Sequence, residues 1–264
     1  MAQQPVQKPV RLKVEGLAKS FGGVLALRHM DLEARAGQIL SVIGPNGAGK
    51  TTLINGISGV YPTDHGTVTL DGEKISGLAA YEIAQRGIAR TFQNVALFRG
   101  MTVLENMLLG RNTHMTTGVL ACGWYWGKAR REEIAQRRVV EEMIDFLEIT
   151  ALRRTPVGAL PLGLQKRVEL GRALVAKPKV LLLDEPMGGM NLEEKESMAR
   201  YVLDVVETTD TAVILVEHDM GVVMDISDRV MVMEQGAKLA EGTPAEVRGN
   251  PRVIEAYLGK EHAA

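Results

Sequence analysis

"QILSVIGPNGAGKTTLINGISG", residues 38–59, decides how the chain is read. "QILSVI" is a short apolar run suited to a buried strand, and "TTLINGISG" reads as a helix that stops at glycine. Between them "GPNGAGKT", Gly44 to Thr51, matches G-x-x-x-x-G-K-[ST] with a strand before it and a helix after it. Gly-rich strand-to-helix turns are common, but few add this lysine and threonine. The glycines let backbone N–H groups curl around phosphate oxygens, a path that residues with a Cβ resist. The helix dipole adds favourable potential at the same point. Lys50 is then placed to neutralise β- and γ-phosphate charge, and the Thr51 hydroxyl to ligate Mg²⁺. Gly44, Pro45, Asn46, Gly47, Ala48, Gly49, Lys50, Thr51 and Thr52 form the expected phosphate-binding stretch.

The 264 residues are enough for one large domain or a domain with a subdomain. A net charge of −1 gives no sign of a nucleic-acid partner bound by bulk electrostatics. The single cysteine, Cys122, excludes an intramolecular disulfide framework and fits a reducing compartment. No apolar run approaches the roughly 20 residues that span a bilayer. "MAQQPVQKPV" lacks the apolar segment of a secretory signal and reads as a loose tail. A cytoplasmic chain, able to dock on a membrane protein, is expected.

"VRLKVEGLAKSFGG" and "ALRHMDLEARAG" read as strands joined through glycine turns, and "GTVTLDGEKI" as a strand and turn. From about Val95 to Ala176 the pattern is helical, in "TVLENMLLG", "KARREEIAQRRVVEEMIDFLEI" and "LQKRVELGRALVA". In the last, Leu164, Val168, Leu174 and Val175 recur close to the 3.6 period. Short buried-type strands return at "KVLLLDE" and "TAVILVEHD" with a helix between them; "DRVMVMEQGAKLAEG" reads as a hairpin, and a helical tail follows. Strands alternating with helices predict a mainly parallel α/β core, with the N-terminal strands as an antiparallel flank and the helical block inserted.

"VLLLDEP" places Asp184 and Glu185 at the carboxyl end of a buried strand, where open α/β sheets bind ligands. An acidic turn after a strand is otherwise ordinary; beside a phosphate loop it suits a hold on Mg²⁺ by Asp184 and orientation or deprotonation of the attacking water by Glu185. "VILVEHDM" ends another core strand with His218. Local sequence leaves this histidine open between a satisfied structural residue and a γ-phosphate contact.

Taken together the set resembles the ATP-binding subunit of ABC transporters, from about Val10 to Leu258. Gly44 to Thr51 look like Walker A, Val180 to Glu185 like Walker B, and His218 like the switch histidine. The resemblance implies a P-loop NTPase (RecA-like) core, divided as a loose tail over 1–9, a nucleotide-binding core with antiparallel strands over 10–93, a helical subdomain over 94–177 and the second half of the core over 178–264. It also implies that Gln93 in "RTFQN" is the Q-loop glutamine, joining the Mg²⁺ environment and sensing the membrane partner. Phe21 in "KSFGG" matches the aromatic that stacks on adenine, and "GGMN", through Asn191, sits where the D-loop should.

"LPLGLQ" occupies the place of the family's LSGGQ signature, which in the family meets the ATP held by the other subunit. Gly163 is kept, and Gln165, Lys166 and Arg167 follow. Pro161 replaces the signature serine and Leu162 its first glycine. A hydrogen bond to a charged group is worth about 1.5–3 kcal/mol, so the missing hydroxyl weakens the contact by roughly one to two decades. Pro161 also lacks an N–H. The expected donors are then the Gly163 and Leu164 amides with the helix dipole.

"RTFQNVALFRGMTVLEN", the insert after "LLGRN" and the ending "EGTPAEVRGNPRVIEAYLG" look like the larger ATPase subunit of branched-chain amino-acid importers. That resemblance implies ATP and Mg²⁺ as cofactors, transmembrane permease subunits as partners, a second ATPase subunit (identical or paralogous) and, indirectly, a solute-binding protein. It implies no nucleic acid, and places the chain peripherally on the cytoplasmic face of the inner membrane. Two other readings are a soluble non-transport ABC-type ATPase and a non-hydrolysing ATP-binding regulatory module. The first group carries long coiled-coil insertions or tandem ATPase halves, which this chain lacks; Glu185 and His218 count against the second. "ACGWYWG", 121–127, is read as a loop packed on the helical block rather than a partner contact. "KARREEIAQRR" interleaves its charges and reads as a solvated helix face.

Overall fold

The computed structural model describes residues 8–112 and 128–258. Most of the N-terminal tail and the "ACGWYWG" loop with Cys122 lie outside the described residues. Val10–Phe21 (β1) and Val24–Arg35 (β2) pair antiparallel around the Gly22–Gly23 turn. Ile39–Ile43 (β3) runs through the phosphate-loop sequence into Lys50–Ile57 (α1). His65–Leu70 (β4) and Glu73–Lys74 (β5) complete a four-stranded sheet of order β2-β1-β4-β5.

Ala80–Arg86 (α2) and Ile88–Arg90 (β6) follow. The sequence pattern assigns nothing to this "AYEIAQRGIAR" segment, because β6 is a three-residue strand that exists by pairing with a distant neighbour. Val103–Leu109 (α3), Lys128–Phe146 (α4) and Leu162–Leu174 (α5) form the helical stretch. Thr102 starts α3 through a reciprocal cap with Glu105, at 3.2 Å and 2.8 Å. The periodic run seen from Leu164 begins already at Leu162, with Pro161 as its N-cap.

Val180–Asp184 (β7), Leu192–Thr208 (α6), Ala212–Val216 (β8), Met220–Ile226 (α7), Arg229–Glu234 (β9), Ala237–Gly242 (β10), Pro244–Arg248 (α8) and Pro251–Leu258 (α9) complete the described chain. The second sheet has the order β10-β9-β3-β8-β7-β6. Its β9, β3, β8, β7 and β6 run parallel, and β10 joins as the antiparallel arm of the expected hairpin.

Both faces of this sheet are covered, which is why β7 and β8 read as unbroken apolar runs. Val180 and Leu182 pack with α1 residues Leu53 and Ile57 and with the four-stranded sheet. Leu181 and Leu183 pack on the other side with Met107 of α3, Ile144 of α4, Val168 of α5 and Val202 of α6. Period-two alternation thus serves two cores.

Ile214 is fully buried between the two sheets, so Ile214→Ala is expected to cost about 2–5 kcal/mol. Val24, exposed at the first hairpin, is expected to tolerate alanine within about 0.5 kcal/mol. Urea denaturation of the two variants checks this contrast.

Candidate functional site

Because the strands are parallel, the carboxyl ends of β3, β8, β7 and β6 share one edge of the sheet. Gly44–Thr51, Glu217–His218, Asp184–Glu185 and Thr91–Gln93 therefore arrive together, although they are spread over most of the chain.

The phosphate loop is built by backbone constraint. Gly49 has φ 97°, and a Cβ there would lie 2.6 Å from the Ala26 carbonyl oxygen. Any other residue forces the loop off β2. Lys50 is buried and curls back, its Nζ donating to Gly44 O at 2.7 Å and Pro45 O at 3.2 Å. Burial lowers its pKa from the ordinary lysine value, against the pull of Glu185 and Asp184. Asn46, Gly47 and Thr51 are exposed, Pro45, Gly49 and Thr52 half-buried, and Gly44 and Ala48 buried. No acidic residue occupies the first turn of α1, which keeps that helix end favourable to an anion.

Asp184 is 1% exposed. Its Oδ2 accepts from Arg90 at 3.0 Å, while Oδ1 is buried with no hydrogen-bond partner. Burial raises its pKa, opposed by the Arg90 charge and hydrogen bond. Arg90 also donates to Asn55 Oδ1 and, at 3.1 Å, to Ser58 Oγ on the phosphate-loop helix and its cap, and lies 4.8 Å from the Phe92 ring centroid. Sequence reasoning passes over Arg90. It opens the "RTFQN" stretch without a role of its own there, and its pairing exists only once β6 lies beside β7.

Glu185 follows at φ 50°, and its Oε2 accepts from Gln93 Nε2 at 3.2 Å. The structure thus joins two residues separated by 92 positions. His218 is brought to the same edge but is 64% exposed at its side chain; its Nδ1 is 3.8 Å from Glu217 Oε2. Glu217, also absent from the sequence reading, is buried and accepts from the Met187 amide at 2.8 Å and the His218 amide at 3.2 Å. Burial raises its pKa despite those bonds. It fastens the chain before His218 to the segment leading to Asn191.

Among the described residues no three His, Cys, Asp or Glu side chains form a metal cluster. A cation here therefore depends on hydroxyl, amide and phosphate oxygens as well as carboxylate, a hard-oxygen set that suits Mg²⁺. The orphaned Asp184 Oδ1 fits such an ion or its water, as it has no protein partner.

Phe21 is 46% exposed and packs edge-on against Tyr61, with ring centroids 5.3 Å apart. Lys19 Nζ lies 5.3 Å from the Phe21 centroid. Tyr61, the ring that orients Phe21, carries no sequence signal. Asn191 caps α6, accepting from the Glu194 amide at 2.9 Å. Pro161, Leu162, Gly163 and Gln165 lie at the start of α5, and among the described residues no hydrogen bond joins them to the phosphate loop. Leu162 is exposed, and Gln165 Nε2 folds back to Leu160 O at 2.7 Å. A Cβ on Gly163 would lie 2.3 Å from Glu194 Oε1, so any other residue there displaces that carboxylate. The first helical bond runs from Gln165 N–H to Pro161 O at 3.0 Å, so the Gly163 and Leu164 amides precede the helix's own ladder.

Comparison with known proteins agrees with this geometry. Residues 27–188 match the family model described as "ABC transporter", and residues 237–263 match "Branched-chain amino acid ATP-binding cassette transporter". The chain is similar to the high-affinity branched-chain amino acid transport ATP-binding protein BraF of Pseudomonas aeruginosa, with 40% identity covering 97% of this chain and 100% of that one. LivG of Salmonella typhimurium, named for the same transport, is 42% identical over 94% of this chain and 98% of its own. Among solved structures, the ADP conformation of MJ1267, an ATP-binding cassette of an ABC transporter, superposes with a TM-score of 0.82 at 31% identity, covering 96% of this chain and 100% of that one. With a phosphate loop, paired carboxylates and a glutamine gathered at one sheet edge, and relatives aligned over nearly its whole length, the chain belongs to the ATP-binding subunits of ABC transporters.

Proposed function

We propose that this ATPase powers uptake of branched-chain amino acids or related small polar solutes through partner permeases. The observation that carries the catalytic part is the Gln93–Glu185 contact beside Lys50 and the buried Asp184. In this reading the loop amides and Lys50 hold the phosphates, and Phe21 stacks on adenine. Glu185 orients and deprotonates the attacking water, with Gln93 fixing its carboxylate. Thr51, Gln93 and Asp184 hold Mg²⁺, which when bound neutralises charge on the transferring phosphoryl group. Arg90 keeps Asp184 anchored to α1, and His218, exposed at the edge, is free to reach a γ-phosphate.

Among the described residues no hydrogen bond ties the start of α5 to the chain's own phosphate loop, which supports a role across an interface. Two subunits, identical or paralogous, would close head to tail so that Gly163 and Leu164 amides of one face the γ-phosphate held by the other. Pro161 and Leu162 remove a hydroxyl and an N–H from that contact, leaving backbone donors to make it. Hydrolysis releases the two halves because the bridging charge is what favours closure.

No helix among the described residues is long and apolar enough to cross a membrane, and we place the chain peripherally on the cytoplasmic face of the inner membrane. The segment after Gln93 is suited to reading a permease: Phe98 is 57% exposed, Val95 and Leu97 half-buried. Beside it Ile83, Ala84, Phe92 and Leu109 line an apolar groove of about 380 Å³, a fit for a short permease helix.

Glu185→Gln is expected to bind ATP, hydrolyse it at least roughly a hundredfold more slowly, and accumulate as a closed dimer in light scattering. Turnover at the normal rate would remove Glu185 from the mechanism. Gly163→Asp puts a carboxylate where Glu194 already lies and where a γ-phosphate would approach; ATP turnover should collapse while ATP binding by the separate subunit persists. Unchanged turnover would exclude a catalytic role for residues 161–165. The transport assignment is tested by purification from native membranes. Integral membrane proteins should co-purify, and a binding protein loaded with a branched-chain amino acid should raise ATPase activity; recovery with no membrane protein sinks it.

A further inference from the structure

Helix α5 carries three polar side chains at three-residue intervals on an inward face: Lys166, Glu169 and Arg172. Each makes contacts outside the helix. Glu169 accepts the Phe92 amide at 3.4 Å and the Ala96 amide at 3.2 Å. Arg172, 3.9 Å from Glu169, donates to Ala96 O at 2.6 Å. The loop bearing Gln93 is therefore fastened to α5 on both sides of the glutamine.

Lys166 does the corresponding work at Glu185. It is 7% exposed, and its Nζ donates to the Glu185 carbonyl at 2.8 Å. Burial lowers its pKa from the ordinary lysine value, against the pull of the Glu217, Glu169 and Glu185 charges. Burying an ammonium is costly, and here the carbonyl bond and the nearby carboxylate charges offset part of that cost. The peptide it holds is unusual. Glu185 is a non-glycine residue at φ 50°, a conformation that persists only where neighbours over-determine it. Its amide donates to Val216 O at 2.9 Å, and its carbonyl also accepts Gly188 N–H at 3.2 Å. A Cβ on Gly188 would come within 3.4 Å of Lys166 Nζ, so the segment after Glu185 closes over the lysine. One helix thus holds both partners of the Gln93–Glu185 hydrogen bond.

We propose that Lys166 is a positioning residue for hydrolysis: by holding the Glu185 carbonyl it sets the backbone that aims the Glu185 carboxylate, and it links the Gly163 end of α5, facing the partner subunit's nucleotide, to the glutamate acting on this chain's own. The proposal rests on the reading of Glu185 and of residues 161–165 given above. A lysine suits the task because its compact ammonium has three donors, enough for a carbonyl with carboxylates to spare.

The test uses the full-length protein with Lys166→Met, Lys166→Arg, Glu185→Gln and the Lys166→Met/Glu185→Gln double variant. Lys166→Met should lower kcat about tenfold, corresponding to roughly 1.4 kcal/mol of barrier, with KM for ATP within about twofold of the parent, because the lysine touches no nucleotide site. Lys166→Arg, which keeps a charged donor, should recover kcat to within about threefold. The double variant should still form the ATP-induced dimer, which a general loss of structure would prevent. If Lys166→Met does not fold, Lys166→Gln is judged by the same criteria. A Lys166→Met kcat within twofold of the parent overturns the proposal. So does a KM that rises in step with the loss, or an arginine variant that recovers nothing. Normal turnover by Glu185→Gln overturns it at its base, by removing the role of Glu185 rather than that of Lys166.

Discussion

Strand β8 hydrogen-bonds to β3 along Ile39–Val42 on one side and to β7 along Val180–Asp184 on the other, with all three strands running the same way. That ladder brings a loop from the first quarter of the chain and a carboxylate pair from its last third to one edge. A one-residue slip would turn Leu181 and Leu183 from the helical side to the sheet side and carry Asp184 with them. Two cores, one on each face, resist that slip. The position of the chemistry is thus set by apolar packing well away from it.

At the edge itself the governing problem is charge. Asp184, Glu169 and Glu217 are buried, and burial raises the pKa of each. Left unpaired they would repel a triphosphate and one another. Arg90 meets Asp184, Arg172 lies beside Glu169, and Lys166 faces Glu217, Glu169 and Glu185. Lys50 remains over the phosphate loop and, among the described residues, has only backbone carbonyls as hydrogen-bond partners. Neutralising the interior from within leaves the loop lysine available for the ligand.

The segment proposed as an altered signature fits the same logic. Pro161 begins α5 where a missing N–H costs the helix nothing, since the first-turn amides have no intrahelical acceptor. A Cβ on Gly163 would displace the Glu194 carboxylate packed against it and, in the dimer proposed above, would narrow the approach of a partner's nucleotide. Glu194 is in turn occupied as the capping partner of Asn191. The start of α5 and the start of α6 therefore meet at the Glu194 carboxylate.

Much of this was legible beforehand where the chemistry is local. The phosphate loop declares itself because strand, glycines, lysine and helix are contiguous, and β7, β8 and the β9–β10 hairpin do so through short apolar runs and a Gln235–Gly236 turn. Phe21, Gln93, Gly163 and Asn191 required resemblance to a family, since each has meaning only through residues far away in sequence. Arg90, Tyr61 and Glu217 carried no readable role, and Lys166, noted only as a basic residue after the signature, showed no link to Glu169 and Arg172. An arginine before a loop, or a charged residue on an amphipathic helix, reads as solvent-facing until the sheet order is known. By itself, then, the sequence determined which backbone segments can cradle phosphate and which runs must be buried. Tertiary structure alone decided which charges meet, because a buried ion pair is specified by strand neighbours and burial, and neither is a property of a short stretch of chain.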